Sequence, residues 1–127
     1  RVRRAVAHAI DRDKALALIN RRGRAATSLV PPGIAGWDEG APVPRHDPAA
    51  ARALLREAGL EQGFDTALWV RTDETLLRLA QSYQQDLAEV GVRARIRNLS
   101  WASFLELIRR PGRAPLFMLG WEADFPD

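Results

Sequence analysis

The last eight residues of the chain combine side chains that could bind a charged organic ligand. They read Gly120-Trp121-Glu122-Ala123-Asp124-Phe125-Pro126-Asp127 and follow a continuous apolar run at 116–119. Trp121 offers a large flat apolar surface with one N–H donor, and Asp124 offers a negative charge at the same rim. A glycine such as Gly120 lets another group approach the backbone closely. The set suits an apolar or amphipathic ligand that carries a cation, although a plain strand-to-loop exit with a core tryptophan fits these residues equally well.

Outside this segment, the residues that could do chemistry have structural explanations. Asp11 and Asp73 stand where helix N-caps are expected. The two histidines, His8 and His46, fall in different elements and have no companion metal ligands. The sequence has no cysteine, no glycine-rich phosphate loop, no His-x-x-x-His pair and no nucleophile elbow. We therefore predict a protein that is not an enzyme and has no catalytic residue, metal site or cofactor.

Length, composition and charge limit the classes of protein to which this chain can belong. A chain of 127 residues with 46% hydrophobic residues can bury the core of one domain, and no apolar run approaches the ~18–20 residues of a membrane span. The net charge is +3, and the acidic residues are spread among the basic ones instead of leaving a basic cluster typical of nucleic-acid binding. A basic nucleic-acid-binding domain is the alternative function, and a small enzyme using Glu122 and Asp124 as acid and base is a third.

Capping residues and hydrophobic periodicity predict the elements that position the C-terminal segment. Apolar spacing indicates a helix over 2–10, and Asp11 caps a second helical piece. Residues 23–46 form a long irregular stretch rich in proline and glycine. The second half alternates between strand and helix, with helices after Asp73 and Ser100 and with strands β1 (66–71), β2 (92–97) and β3 (116–119), preceded by a helix over 47–59. This β-α-β-α-β pattern predicts parallel strands joined by right-handed crossovers.

The predicted strand order in this sheet is β2-β1-β3. Arg93, Arg95 and Arg97 alternate on one face of β2, which indicates an edge strand with a solvated face; a docking surface for an acidic partner is the alternative. The apolar run of β3 indicates a strand that is central and buried on both faces. In open α/β sheets, ligands gather outside the carboxyl ends of the strands, which is where β3 leads into Gly120 and Trp121.

Four ordered segments carry a resemblance to a known family. They are 2–12 (VRRAVAHAIDR), 29–33 (LVPPG), 47–59 (DPAAARALLREAG) and the run from 91 through Trp101 to the ending GWEADFPD. In this order they resemble the bacterial extracellular solute-binding proteins of family 5, the oligopeptide, dipeptide and nickel transport type. The resemblance covers nearly the whole chain, and it departs from the family pattern at Phe125, where tyrosine is commoner.

The resemblance implies a fold and a function. The fold is an α/β, periplasmic-binding-protein-like lobe of the class II type, a mostly parallel sheet with helices packed on it. Residues 1–127 are then a single domain, the second lobe of a two-lobed receptor whose first lobe is absent from this chain. Such receptors bind a peptide or another small solute between the lobes and pass it to an ABC transporter permease. They are periplasmic or extracytoplasmic, and a cell-surface lipoprotein with an upstream lipid anchor is expected. Nickel chelates, sugars and opines stay open as ligands.

The resemblance also assigns roles within the C-terminal segment. In peptide-binding members, the aspartate of this motif pairs with the α-ammonium group of the ligand, and by position this aspartate is Asp124. Gly120 and Trp121 match positions that line the cleft of that family. Glu122 belongs to the same segment and is included in the predicted ligand-binding set.

Two residues before the segment complete the predicted site. Trp101 matches a tryptophan at the start of the preceding helix, where it either lines the cleft or packs in the core. Arg109 is predicted to reach a ligand carboxylate, as the resemblance suggests for some members.

Overall fold

The computed structural model describes residues 1–28, 30–38 and 40–120. The elements in these residues are α1 (Val2–Ala9), α2 (Arg12–Leu18), α3 (Pro48–Glu57), β1 (Phe64–Arg71), α4 (Glu74–Glu89), β2 (Val92–Leu99), α5 (Trp101–Ile108) and β3 (Leu116–Phe117). Every element predicted from the sequence is present. Strands β1 and β2 are each two residues longer than predicted, and β3 is two residues shorter.

Four helices begin at side-chain caps that the sequence predicts. Asp11, Asp47, Asp73 and Ser100 each accept a hydrogen bond from the backbone N–H three residues later, at 2.9–3.0 Å for the aspartates and 3.4 Å for the serine. Each cap satisfies one of the N–H groups that a helix leaves unpaired at its start, which stabilises a helix by about 1 kcal/mol.

The three strands form a parallel sheet in the predicted order β2-β1-β3. The register runs from Phe64 opposite Val92 to Arg71 opposite Leu99, and it places Trp69 opposite Phe117. The first crossover runs from β1 to β2, and the second runs in the opposite direction, from β2 past β1 to β3. Right-handed connections therefore put α4 on one face of the sheet and α5 on the other.

The prediction that β3 is central and buried on both faces is wrong for the described residues. Strand β1 lies in the centre, and β3 pairs with β1 alone in this part of the chain. Leu116 and Met118 pack against the core, whereas Phe117 and Leu119 are 46% and 52% exposed. The alternation of a strand sends the latter two side chains to the second face, which α5 covers only in part.

One hydrophobic core joins helices α1, α3 and α4 to the first face of the sheet. Its buried members are small or branched apolar side chains, namely Ala5, Ala9, Ala51, Leu55, Leu68, Val70, Ala80, Leu87, Val90, Val92 and Ala94. Burial of each leucine or valine side chain stabilises the fold by about 1.5–3 kcal/mol. On the second face, Phe104 of α5 is fully buried.

A buried ion pair connects α2 to α4. The Asp86 carboxylate is 4% exposed and accepts hydrogen bonds from Lys14 Nζ at 2.8 Å and from the Asp11 backbone N–H at 3.0 Å. The two contacts fix the start of α2 against the last turn of α4, because a buried carboxylate must keep its partners.

Candidate functional site

The carboxyl ends of the parallel strands meet at one edge of the sheet, where α4 and α5 also begin. Thr72, directly after β1, donates a hydrogen bond from its backbone N–H to Leu99 O at 2.8 Å and another from its hydroxyl at 3.1 Å. Asn98 Nδ2 donates to Thr72 Oγ1 at 3.3 Å. These bonds tie the ends of β1 and β2 together, so side chains at this edge stand on a fixed backbone. This is the edge at which open α/β sheets bind ligands.

Trp101 presents an aromatic surface at this edge. It is the first residue of α5 and is 49% exposed. Its ring lies nearly parallel to that of the buried Phe104, with centroids 6.1 Å apart and planes at 22°. Phe104 in turn meets Phe117 of β3 edge-on, at 6.5 Å and 67°. Half-exposed Trp101 is therefore not a core residue, and its ring packs on Phe104 while part of its surface stays accessible.

Arg71 is the last residue of the central strand and places a positive charge beside this ring. Its guanidinium carbon lies 5.9 Å from the centroid of Trp101, within the range of a cation–π interaction. Its Nη2 atom lies 3.5 Å from Asp73 Oδ2, while the other oxygen of Asp73 caps α4 through Leu76 N at 2.9 Å. The edge thus carries an arginine, an aromatic face and a carboxylate that both lies near the arginine and caps α4.

Sequence reasoning missed Arg71, although a usable signal was present. The rule that ligands gather after parallel strands selected the residues after β3, and the same rule applied to β1 selects Arg71 and Thr72. The contact with Trp101 joins residues thirty positions apart, and no local pattern indicates it.

The predicted site residues are only partly brought together in the described residues. Gly120 is exposed, and a Cβ atom built there would meet no atom within 4 Å. Arg109 lies at the far end of α5, about 12 Å from Trp101 along the helix axis, and its Nη1 is 3.9 Å from Glu106 Oε1. The structure therefore does not bring Arg109 to the edge that holds Trp101.

Trp121, Glu122 and Asp124 lie outside the described residues. Their predicted contacts with a ligand stay predictions.

Two groups with shifted pKa values lie away from this edge. Arg93, which donates to Asp65 at 3.0 Å, holds the pKa of that carboxyl below its ordinary value, and Asp65 is at the opposite, amino-terminal end of β1. Burial raises the pKa of Tyr83 in the middle of α4. Among residues 1–28, 30–38 and 40–120, no cluster of His, Cys, Asp and Glu could hold a metal ion. No helix in that part of the chain is long and apolar enough to cross a membrane.

The chain matches one protein family along its whole length. The model of the family "Bacterial extracellular solute-binding proteins, family 5 Middle" matches residues 1–127. The chain belongs to this family. The resemblance that four sequence segments indicated is confirmed.

Two curated relatives match almost the whole chain. It is 34% identical over 133 residues to a dipeptide-binding protein of Escherichia coli (strain K12), covering 100% of this chain and 25% of the relative. It is 38% identical over 130 residues to a glutathione-binding protein of Salmonella typhimurium, covering 97% of this chain and 25% of the relative. The chain thus spans about a quarter of the length of these relatives.

Solved structures confirm the periplasmic-binding-protein-like fold. A dipeptide-binding protein from Pseudoalteromonas sp. SM9913, in complex with Met-Leu, is 35% identical with a TM-score of 0.89 over 99% of this chain and 26% of that one. The periplasmic binding protein DppA from Helicobacter pylori, in complex with the peptide STSA, is 27% identical with a TM-score of 0.89 over 98% of this chain and 24% of that one.

Family membership separates the functions that the sequence left open. The family consists of solute-binding proteins, which are not enzymes, in agreement with the prediction. None of these comparisons supports the nucleic-acid-binding alternative. Proteins of this family work outside the cytoplasm, which agrees with the predicted extracytoplasmic location.

Proposed function

We propose that this chain is a ligand-binding lobe of an ABC-importer receptor for peptides or similar small solutes. The observation that carries the proposal is the half-exposed Trp101 ring, with Arg71 beside it, at the carboxyl edge of a parallel sheet in a chain of this family. The relatives are a dipeptide-binding and a glutathione-binding protein, which supports a peptide as the ligand class.

The remainder of such a receptor supplies the second wall of the site. The relatives are about four times as long as this chain, which supports a first lobe outside it. Ligand is then buried between two lobes that close on it, and closure excludes water from the polar contacts. Release goes to the permease of an ABC transporter, and an upstream lipid anchor holds the receptor at the membrane.

Within this lobe, the proposed contacts follow the chemistry of a zwitterionic peptide. Asp124 pairs with the α-ammonium group, and Gly120, Trp121 and Glu122 line the cleft around it. Trp101 lies at the same edge of the sheet and offers an apolar surface to a side chain of the ligand. The contacts of Gly120, Trp121, Glu122 and Trp101 are assigned from their motif and from the rule that ligands bind at the carboxyl ends of parallel strands.

The test uses the complete receptor that contains this chain. Native mass spectrometry of receptor purified from its host identifies the solute that co-purifies. Calorimetry then compares the dipeptide Met-Leu with N-acetyl-Met-Leu, which lacks the ammonium charge. Loss of a charge-assisted hydrogen bond is expected to weaken binding by roughly 10- to 100-fold, and Asp124→Asn is expected to abolish the difference between the two probes.

Glu61→Gln is the matched control, because Glu61 is an exposed acid between α3 and β1. It should leave both affinities unchanged. A receptor that binds neither a peptide nor any co-purified solute contradicts the proposal, as does equal binding of the acetylated and free dipeptides by the wild type.

A further inference from the structure

We propose that the end of α2 and the irregular segment after it form a docking site for the permease of the ABC transporter. This surface comprises Leu18 and residues 20–28 and 30–38, and we call it the loop surface. Its partner is an acidic extracytoplasmic segment of the permease, one apolar side chain of which enters a hollow beside Trp37. The inference rests on the proposed function and adds an interaction surface separate from the ligand-binding edge.

The loop surface exposes large apolar side chains that the described part of the lobe does not cover. Leu18, Ile34 and Trp37 are 45%, 38% and 36% exposed. The hydrophobic core on the sheet contains no residue from 18–28 or 30–38. Long irregular segments inside a compact domain are usually functional or disordered, and exposed apolar surface marks interaction sites. The segment is therefore a candidate for packing against another protein.

A hollow of about 290 Å³ opens in this surface. Two consecutive turns, from Ile34 N to Pro31 O at 3.3 Å and from Trp37 N to Ile34 O at 3.0 Å, bring Trp37 back to the start of the proline pair. Small-molecule sites span ~300–1,000 Å³, so a hollow at the lower limit of this range suits one inserted side chain. The apolar residues that line it are Ala25, Ala26, Val30, Pro31, Pro32 and Trp37.

Three exposed arginines give this surface a positive charge. They are Arg21, Arg22 and Arg24, and the last of them also lines the hollow. In the described part of the chain, none of the three forms an ion pair. The sequence has no acid between residues 18 and 37, and the Asp38 carboxylate that follows accepts a hydrogen bond from Gly40 N at 2.9 Å. An acidic partner would supply the missing counter-charges.

The end of α2 holds the first of these arginines on a defined backbone. Asn20 N donates to Ala17 O at 3.0 Å and Arg21 N donates to Leu16 O at 2.8 Å, which are the two bonds of a Schellman motif. Arg21 has φ +54°, in the left-handed region that favours glycine. An arginine at such a position is unfavourable for the fold itself, which points to a use of its side chain in an interaction.

Charge and position favour a permease as the partner. Membrane proteins concentrate lysine and arginine in their cytoplasmic loops, so their extracytoplasmic loops are the ones that a positive surface complements. The loop surface also continues from α2, which packs against α4 and contributes no residue to the core on the sheet. The proposed lobe closure takes place at the carboxyl edge of the sheet instead. A lipid surface would require apolar side chains that protrude, whereas Trp37 lines a hollow.

The experiment uses the complete receptor and the permease complex of the same host, reconstituted in nanodiscs of phosphatidylcholine. ATP hydrolysis stimulated by Met-Leu is measured against receptor concentration. Arg21→Glu/Arg22→Glu is expected to raise the half-saturating receptor concentration by roughly 10-fold or more, because like charges then face each other. Trp37→Ala is expected to raise it by a similar factor, and Trp37→Phe should restore most of the loss. Calorimetry should give an unchanged affinity for Met-Leu in all three variants.

The matched control is Arg95→Glu/Arg97→Glu, which reverses two exposed arginines on β2 and should leave the half-saturating concentration at the wild-type value. Raising NaCl from about 50 to 200 mM should weaken the docking of the wild type but not weaken that of Arg21→Glu/Arg22→Glu further, because salt screens only an attraction that is present. A loss in the β2 variant equal to that in Arg21→Glu/Arg22→Glu overturns the inference.

Other outcomes also overturn the inference. Weaker Met-Leu binding by Arg21→Glu/Arg22→Glu would place these arginines in the ligand site or between the lobes. Binding of the receptor to phosphatidylglycerol vesicles, together with unchanged permease stimulation by both the charge-reversed variant and Trp37→Ala, would assign the surface to the membrane. Should Trp37→Ala not fold, Arg21→Glu/Arg22→Glu decides in the same way.

The same measurements keep the two proposals apart. A wild-type receptor that binds no peptide and stimulates no ATP hydrolysis contradicts the proposed function, and the inference falls with it. Peptide-stimulated hydrolysis that is the same in the wild type and in every loop-surface variant contradicts the inference alone.

Discussion

At the scale of single residues, Gly63 shows how closely the starts of two neighbouring strands approach each other. Gly63 precedes β1 and has φ +72°, and Gly91 precedes β2 and has φ +89°. A Cβ atom at Gly63 would lie 1.9 Å from the carbonyl oxygen of Gly91, and that oxygen accepts the first bond of the sheet from Phe64 N at 3.2 Å. A side chain at Gly63 must therefore push the strands apart at their start.

Gly63→Ala is expected to lower the free energy of unfolding by about 2–4 kcal/mol, because left-handed strain of ~1–2 kcal/mol adds to the backbone clash. Gly59→Ala is the matched control. Gly59 has φ +74° but no atom within 4 Å of a built Cβ, so it should show the left-handed strain alone. Urea denaturation of the two variants measures the difference, and equal destabilisation would show that the close approach to Gly91 costs nothing.

Residue types also explain which parts of the site could be predicted from sequence. The caps at Asp47 and Asp73 were predictable because a cap needs only its own helix. The pairing of Arg71 with Trp101 was not, because it depends on how two strands and a helix meet in space. Trp101 stays a predicted ligand-binding residue, and whether it lay in the core or at the surface depended on how its ring packs on Phe104.

At the scale of elements, the contact between α2 and α4 depends on one buried acid. Asp86→Ala would remove the partner of Lys14 and of the Asp11 backbone N–H. Breaking a fully buried ion pair costs ~3–5 kcal/mol. Lys14 is 38% exposed and can be partly hydrated, so we expect a loss of about 2–3 kcal/mol in the free energy of unfolding.

Glu89→Ala makes the same truncation at an exposed position of the same helix, and it should change stability by less than about 0.5 kcal/mol. Chemical denaturation of both variants gives the comparison. Indistinguishable stabilities would contradict a structural role for the Lys14–Asp86 pair.

The strands show where element-level prediction from sequence stops. Strict alternation identified β2 correctly, with Val92 and Ala94 buried and Arg93 and Arg95 exposed. The apolar run of β3 suggested burial on both faces, yet Phe117 is half-exposed. Alternation is a property of one strand, whereas burial of a second face depends on which helix covers it, and α5 covers only part of that face.

At the scale of the whole molecule, the described residues supply one wall of the proposed site, at the edge of the sheet. The described residues place Arg71, Trp101 and Phe117 along an open surface, and the family relatives are about four times longer than the chain. A surface that contacts a ligand from one side buries only part of it, while ligand sites bury ~70–90% of a bound small molecule. High affinity therefore requires a second wall.

We expect the isolated chain to bind Met-Leu no tighter than about 1 mM, which corresponds to roughly −4 kcal/mol, because half of the contacts are missing and association entropy is lost in full. Titration of the isotope-labelled chain up to ~10 mM dipeptide, followed by NMR, should move the Trp101 indole and Arg71 side-chain signals gradually without saturation at micromolar concentrations. The complete receptor, titrated in parallel by calorimetry, should bind at least 100-fold more tightly, by about 2.7 kcal/mol. Micromolar affinity in the isolated chain would show that this wall alone holds the ligand and that lobe closure adds little to binding.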